Sequence, residues 1–176
     1  LKKEFSKFIF GENNDTLPSV LIKELAKRNE TIVFAESCTG GLLSSSITSI
    51  SGSSQVFLGS IVSYSNELKN SLLNISEEKL AKYGAVSQEV CETMAINVKK
   101  KLRADWAIAI SGIAGPNGGT NEKPVGLVYI SIAGPNNHIS NIKKIFNSTR
   151  NRIEIQTLSV NVCLNSLRLI LLSNSK

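Results

Sequence analysis

The stretch Thr31-Ile32-Val33-Phe34-Ala35-Glu36-Ser37-Cys38-Thr39-Gly40-Gly41 decides the fold. Its first five residues are β-branched, aromatic or small and read as a short strand. The polar, glycine-bearing run that follows is a turn, and Leu42 to Ile50 reads as a helix opened by Gly40 and Gly41. Strand, tight turn and helix together form one unit of an α/β layer architecture.

Working outward, the same alternation continues. Upstream, Asp15 or Thr16 caps a helix with Pro18 in its first turn, and Leu17, Val20, Leu21 and Leu25 share one face. Downstream, Val56 to Tyr64 has strand character, Asn66 to Leu73 and Glu77 to Tyr83 read as short helices, and Ser87 caps a longer helix to about Leu102. Asp105 to Ser111 is a buried-type strand, followed by a long loop from Gly112 to Pro124. Val125 to Ala133 and Ile139 to Phe146 form a strand pair around the turn Gly134-Pro135-Asn136-Asn137. Arg150 to Leu172 is a final helix, with Ile153, Leu158, Val162, Leu169 and Leu172 expected inward. The hairpin-like pair makes the sheet mixed, so the expected fold is a three-layer α/β/α sandwich. Residues 1–16 read as the end of a linker and 17–176 as the domain. A start at Leu1 is expected of a piece of a longer protein.

Composition limits the function classes. At 176 residues the chain suits one domain. Apolar residues make up 41% and charged residues 19%, which places it among globular rather than disordered chains. No secretory leader is visible, and no apolar run approaches the roughly 20 residues that span a bilayer. Cys38, Cys91 and Cys163 are odd in number and widely spaced, which argues against a disulfide framework and for a reducing, cytoplasmic setting. With His138 as the single histidine, no zinc-ligand set is present. The net charge of +6 is not interleaved with aromatic residues, so it favours anionic small molecules over nucleic acid.

Four segments carry candidate chemistry, each with an ordinary structural alternative. Ser37 to Gly41 presents a hydroxyl and backbone N–H groups at a helix start, where Ser37 or Thr39 equally serves as a cap. Tyr64 and Lys69 leave a strand and enter a helix toward one cleft, or are a strand-end tyrosine and a surface lysine. Ser111-Gly112-Ile113-Ala114-Gly115-Pro116-Asn117-Gly118-Gly119-Thr120 follows a buried strand. Its glycines let the backbone approach a ligand, although it is neither a Walker loop nor a dinucleotide fingerprint. Arg150, at the start of the last helix, is a phosphate clamp or a surface arginine.

Together the segments resemble the C-terminal domain of the CinA family, whose stand-alone members are nicotinamide-nucleotide amidohydrolases. The resemblance rests on Ala35 to Gly41, Tyr64-Ser65-Asn66 with Lys69, Tyr83-Gly84-Ala85-Val86-Ser87, Met94-Ala95 and Ser111 to Gly126, in the family's order. It implies Ser37 as nucleophile, Tyr64 and Lys69 as the groups that activate it, and Thr39, Gly40 and Gly41 as the oxyanion turn. It further implies Ser111, Gly112 and Gly115 as the substrate-binding segment. Arg150 takes the place of the arginine in the family's Gly-Asp-Arg, with Ser148-Thr149 departing from the Gly-Asp pair. The implied reaction is deamidation of nicotinamide mononucleotide without metal or cofactor. The implied setting is a homodimer fused to an N-terminal CinA domain. The alternative is a non-catalytic binding or regulatory module of a competence- or damage-linked protein.

Overall fold

The computed structural model describes residues 9–173, so residues 1–8 of the expected linker lie outside the described residues. Five strands form one sheet: β1 (Ile32–Glu36), β2 (Phe57–Val62), β3 (Trp106–Gly112), β4 (Leu127–Ala133) and β5 (Ile139–Ile145). Six α-helices accompany them among the described residues: α1 (Leu17–Arg28), α2 (Leu42–Thr48), α3 (Asn66–Leu73), α4 (Glu77–Tyr83), α5 (Gln88–Leu102) and α6 (Arg152–Ser173). The strand order is β2-β1-β3-β4-β5. β1 is parallel to both β2 and β3, while β3–β4 and β4–β5 are antiparallel. The mixed sheet expected from the 125–146 pair is the one observed.

The period-2 alternation of the central strands sorts their side chains into two unequal cores. Ile32, Phe34, Trp106, Ile108, Ile110, Val128, Ile130 and Ile132 meet α1, α2 and α6 on one face. Val33, Ala35, Ala107, Ala109 and Ala133 meet Val90, Cys91, Met94, Ala95 and Val98 of α5 on the other. Bulky residues thus fill the wide gap under three helices, and alanines let α5 approach closely. The outcome is the three-layer sandwich.

Local signals set the helix starts. Thr16 caps α1 in a reciprocal capping box with Ser19, and Ser65, Ser76 and Ser87 each accept an N–H from the first turn of α3, α4 and α5. α6 departs from expectation. Its buried face carries Ile155, Ser159, Val160, Cys163, Leu164, Leu167 and Leu171, whereas Ile153 is 66% exposed and Leu172 is also exposed. The helix is apolar on most of its circumference, so periodicity alone did not choose the face. α6 is also long and apolar enough to cross a membrane by length and composition, a feature that the strand-by-strand reading passed over. Here its buried face packs against α1, α2 and β4 in the core.

Candidate active site

Adjacent parallel strands end together, and that places the site. β1 ends at Glu36, paired with Val62 of β2 on one side and Ile110 of β3 on the other. The turns leaving the three strands therefore meet at one edge of the sheet, where open α/β sheets bind ligands. They bring Ser37, Cys38, Tyr64, Lys69, Ser111, Gly112 and Gly115 around one cavity of about 250 Å³. Among the described residues, Lys69 and Arg152 are its cations, and no Asp or Glu lines it.

Lys69 lies one turn into α3, and its side chain bends back beneath the β2 exit until only 1% is exposed. Its Nζ stands 3.1 Å from Ser37 Oγ, 2.8 Å from the Ser63 carbonyl oxygen and 3.3 Å from that of Tyr64. No carboxylate pairs with it among the described residues. Burial without a countercharge disfavours the ammonium, which holds the Lys69 pKa below its ordinary 10.5. Lys69 Nζ donates to the Ser37 hydroxyl oxygen and to the two carbonyl oxygens.

Tyr64 lines the same cavity but is 59% exposed, and its phenol oxygen accepts from Arg152 Nη2 at 2.8 Å. It does not stand between Lys69 and Ser37. The lysine reaches the serine directly.

The turn after Ser37 is built differently from the expectation. Gly40 N donates to the Ser37 carbonyl and Gly41 N to Glu36 Oε2, each at 3.1 Å. These two N–H groups are therefore already engaged, and Thr39, Gly40 and Gly41 do not line the cavity. Gly41 has φ +103°, which restricts the position to glycine. The N–H groups of Cys38 and Thr39 bond to no acceptor among the described residues, and Cys38 lines the cavity. Gly41 N is one of several donors that converge on Glu36, a residue the sequence reading did not single out. It is 0% exposed and fixes the start of α2.

Ser111 directs its hydroxyl to the Ala85 carbonyl at 2.8 Å. A side chain at Gly112 would place its Cβ 2.7 Å from the Leu127 carbonyl oxygen, so the close approach of β4 requires glycine there. Cys38 is buried, and desolvation pushes its thiol up to about 12, which leaves it protonated and unsuited as a nucleophile.

Arg150 stands apart from the cavity. It sits exposed in the turn before α6, its N–H bonded to the Asn147 carbonyl, and it does not line the cavity. Arg152 does. Its Nη1 donates to the Gly115 carbonyl at 2.8 Å, alongside the bond to Tyr64. Asn151 caps α6: its Oδ1 accepts from Glu154 N at 3.0 Å, while Glu154 Oε2 accepts from Asn151 N at 2.8 Å. The Asn151–Glu154 pair has capping-box spacing, a signal present in the sequence.

The chain matches the family model described as the CinA C-terminal domain over residues 14–171. It is 89% identical over all its 176 residues to a "CinA-like protein" of Prochlorococcus marinus (strain MIT 9215), of which it covers 42%. It is 48% identical over 164 residues to a "CinA-like protein" of Nostoc punctiforme, covering 93% of this chain and 39% of that protein. The chain thus spans less than half the length of these curated relatives. Among solved structures, the competence/damage inducible protein CihA from Agrobacterium tumefaciens superposes with a TM-score of 0.86 at 34% identity, covering 93% of this chain and 98% of that one. A CinA superfamily protein from Klebsiella pneumoniae superposes at 0.85 with 28% identity, covering 92% and 99%. With the fold, the three strand-end turns and the family model in agreement, this chain belongs to the CinA family as a C-terminal domain.

Proposed function

We propose that this domain is an amidohydrolase that converts nicotinamide mononucleotide to nicotinic acid mononucleotide and ammonia. The observation that carries the reading is the buried Lys69 amine, without a countercharge, 3.1 Å from Ser37 Oγ. A lysine so placed is a general base at a pH where a solvated lysine is not. Lys69 Nζ takes the Ser37 proton as Oγ bonds to the carboxamide carbon. The oxyanion is held by the N–H group of Cys38, which lines the cavity, rather than by the glycine pair. The C–N bond breaks as Lys69 returns the proton to the departing nitrogen, and ammonia leaves. Water, deprotonated by Lys69, then attacks the acyl-serine ester, and Lys69 returns that proton to Ser37 Oγ as the C–O bond breaks.

The absence of acids from the cavity and the presence of Arg152 fit a phosphorylated substrate. In this reading the phosphate replaces the Gly115 carbonyl as partner of the guanidinium, and the Tyr64 phenol stays bonded to it. Tyr64 orients Arg152, and Ser111, Gly112 and Gly115 shape the wall. The domain acts in the cytoplasm, as a homodimer, and within a longer protein that carries an N-terminal CinA domain. The test is ammonia release from nicotinamide mononucleotide by the purified, folded domain. Release that disappears in Ser37→Ala supports the reading. Folded protein without release leaves the domain a binding or regulatory module.

A further inference from the structure

Glu36 is the buried acid nearest in sequence to the nucleophile, and the reaction described above does not use it. Its carboxylate has no lysine or arginine partner among the described residues. Instead it accepts from five donors. Oε2 takes the Thr39 hydroxyl at 2.7 Å and the N–H groups of Gly41 and Leu43 at 3.1 Å each. Oε1 takes Ser44 N at 2.8 Å and the Ser44 hydroxyl. All five come from the eight residues that follow Glu36, so the carboxylate folds the chain back over its own strand end.

This arrangement has two consequences. Of the N–H groups that open α2, those of Gly41, Leu43 and Ser44 go to Glu36 and those of Gly40 and Leu42 to the Ser37 and Thr39 carbonyls, so all are withdrawn from the reacting centre. In this turn the N–H groups of Cys38 and Thr39 have no acceptor among the described residues, and the orientation of Thr39 is set by its hydroxyl hanging on Oε2. Meanwhile Ser37 N is fixed to the Ile110 carbonyl at 3.0 Å, so the serine backbone is clamped by the sheet and the following residues by the carboxylate.

We infer that Glu36 is a positioning residue that, through the Thr39 hydroxyl, holds the turn so that the Cys38 N–H is aimed at the oxyanion formed on attack by Ser37. The inference rests on the serine-nucleophile reading above. It assigns Thr39 its role through the side chain: the hydroxyl orients the turn and touches no substrate.

The test pairs Thr39→Val with Thr39→Ser and adds Glu36→Gln, each checked for folding by thermal denaturation. Two readouts are used: kcat and KM for ammonia release, and the rate at which a fluorophosphonate probe labels Ser37, which does not depend on the identity of the amide. Thr39→Val should lower kcat and labelling by about 10- to 100-fold, the order of losing an oxyanion donor, with KM unchanged. Thr39→Ser, which keeps the hydroxyl, should restore both. Glu36→Gln should lower both in the same sense, and the double variant Glu36→Gln/Thr39→Val should be no worse than the poorer single one. Folded Thr39→Val with unaltered kcat and labelling overturns the inference, as does a wild-type protein that the probe does not label. Labelling that follows this pattern without ammonia release retains the positioning role and removes the nucleotide amide as substrate.

Discussion

The phenol oxygen of Tyr64 and the guanidinium of Arg152 meet at 2.8 Å at the cavity, although 88 residues separate them in the chain. Arg152 simultaneously reaches the Gly115 carbonyl. One side chain thus ties the exit of β2, the loop after β3 and the first turn of α6. This geometry separates two groups that the family resemblance had placed in one role, since Lys69 contacts Ser37 and Tyr64 contacts the cation.

Arg152→Ala should raise KM for nicotinamide mononucleotide by about 10- to 100-fold with little change in kcat, the scale of one charge-assisted contact made in ground and transition states alike. Arg150→Ala should leave both constants within about twofold, as expected of an exposed side chain outside the cavity. The same assay with nicotinamide riboside, which lacks the phosphate, should show no dependence on Arg152. An equal loss with both substrates would remove the phosphate assignment.

Lys69→Met should abolish turnover and leave substrate binding near the wild-type value, measured by calorimetry with unreacted nucleotide. In wild type, kcat/KM should rise with pH as Lys69 loses its proton and level off below pH 10.5, because burial lowers its pKa. The stability consequence has a definite sign. Between the lowered folded pKa and the ordinary unfolded one, the unfolded chain binds more protons, so stability rises with pH across that window. Lys69→Met should remove that slope in denaturant titrations at several pH values.

Tyr64→Phe should reduce kcat far less than Lys69→Met does, because the phenol does not lie on the path between Nζ and Oγ. Its effect should appear as a modest rise in KM through loss of the hydroxyl that orients Arg152. A loss of kcat as deep as that of Lys69→Met would restore the relay.

Ser37→Ala should eliminate activity, whereas Cys38→Ala should retain it at a stability cost of about 1 kcal/mol from lost packing. The thiol, pushed up to about 12 by burial, should also resist iodoacetamide in the folded protein at neutral pH. Mass spectrometry after brief alkylation distinguishes the outcomes.

Leu167→Ala, on the buried face of α6, should cost about 2–5 kcal/mol, and Ile153→Ala less than about 0.5 kcal/mol. Urea denaturation of the two variants tests the helix face directly.

The sequence by itself determined the elements and their order. Capping residues at Thr16, Ser65 and Ser87 mark helix starts, alternation in β1 and β3 marks two buried faces, and glycine marks the turn at Gly41. These are local signals, because caps, periodicity and φ depend on residues within one or two turns of each other. The Ser37, Lys69 and Ser111 segments were also legible as strand exits. The tertiary structure alone decided which side of α6 faces the core, since a helix apolar on most sides takes its orientation from what packs on it. It likewise decided which arginine reaches the cavity. Arg150 lies in the turn before α6 and Arg152 in its first turn, and only the docking of that turn against Gly115 and Tyr64 separates them. Finally, it revealed the buried carboxylate of Glu36, whose five donors converge on one point only when the chain has already turned back upon its strand.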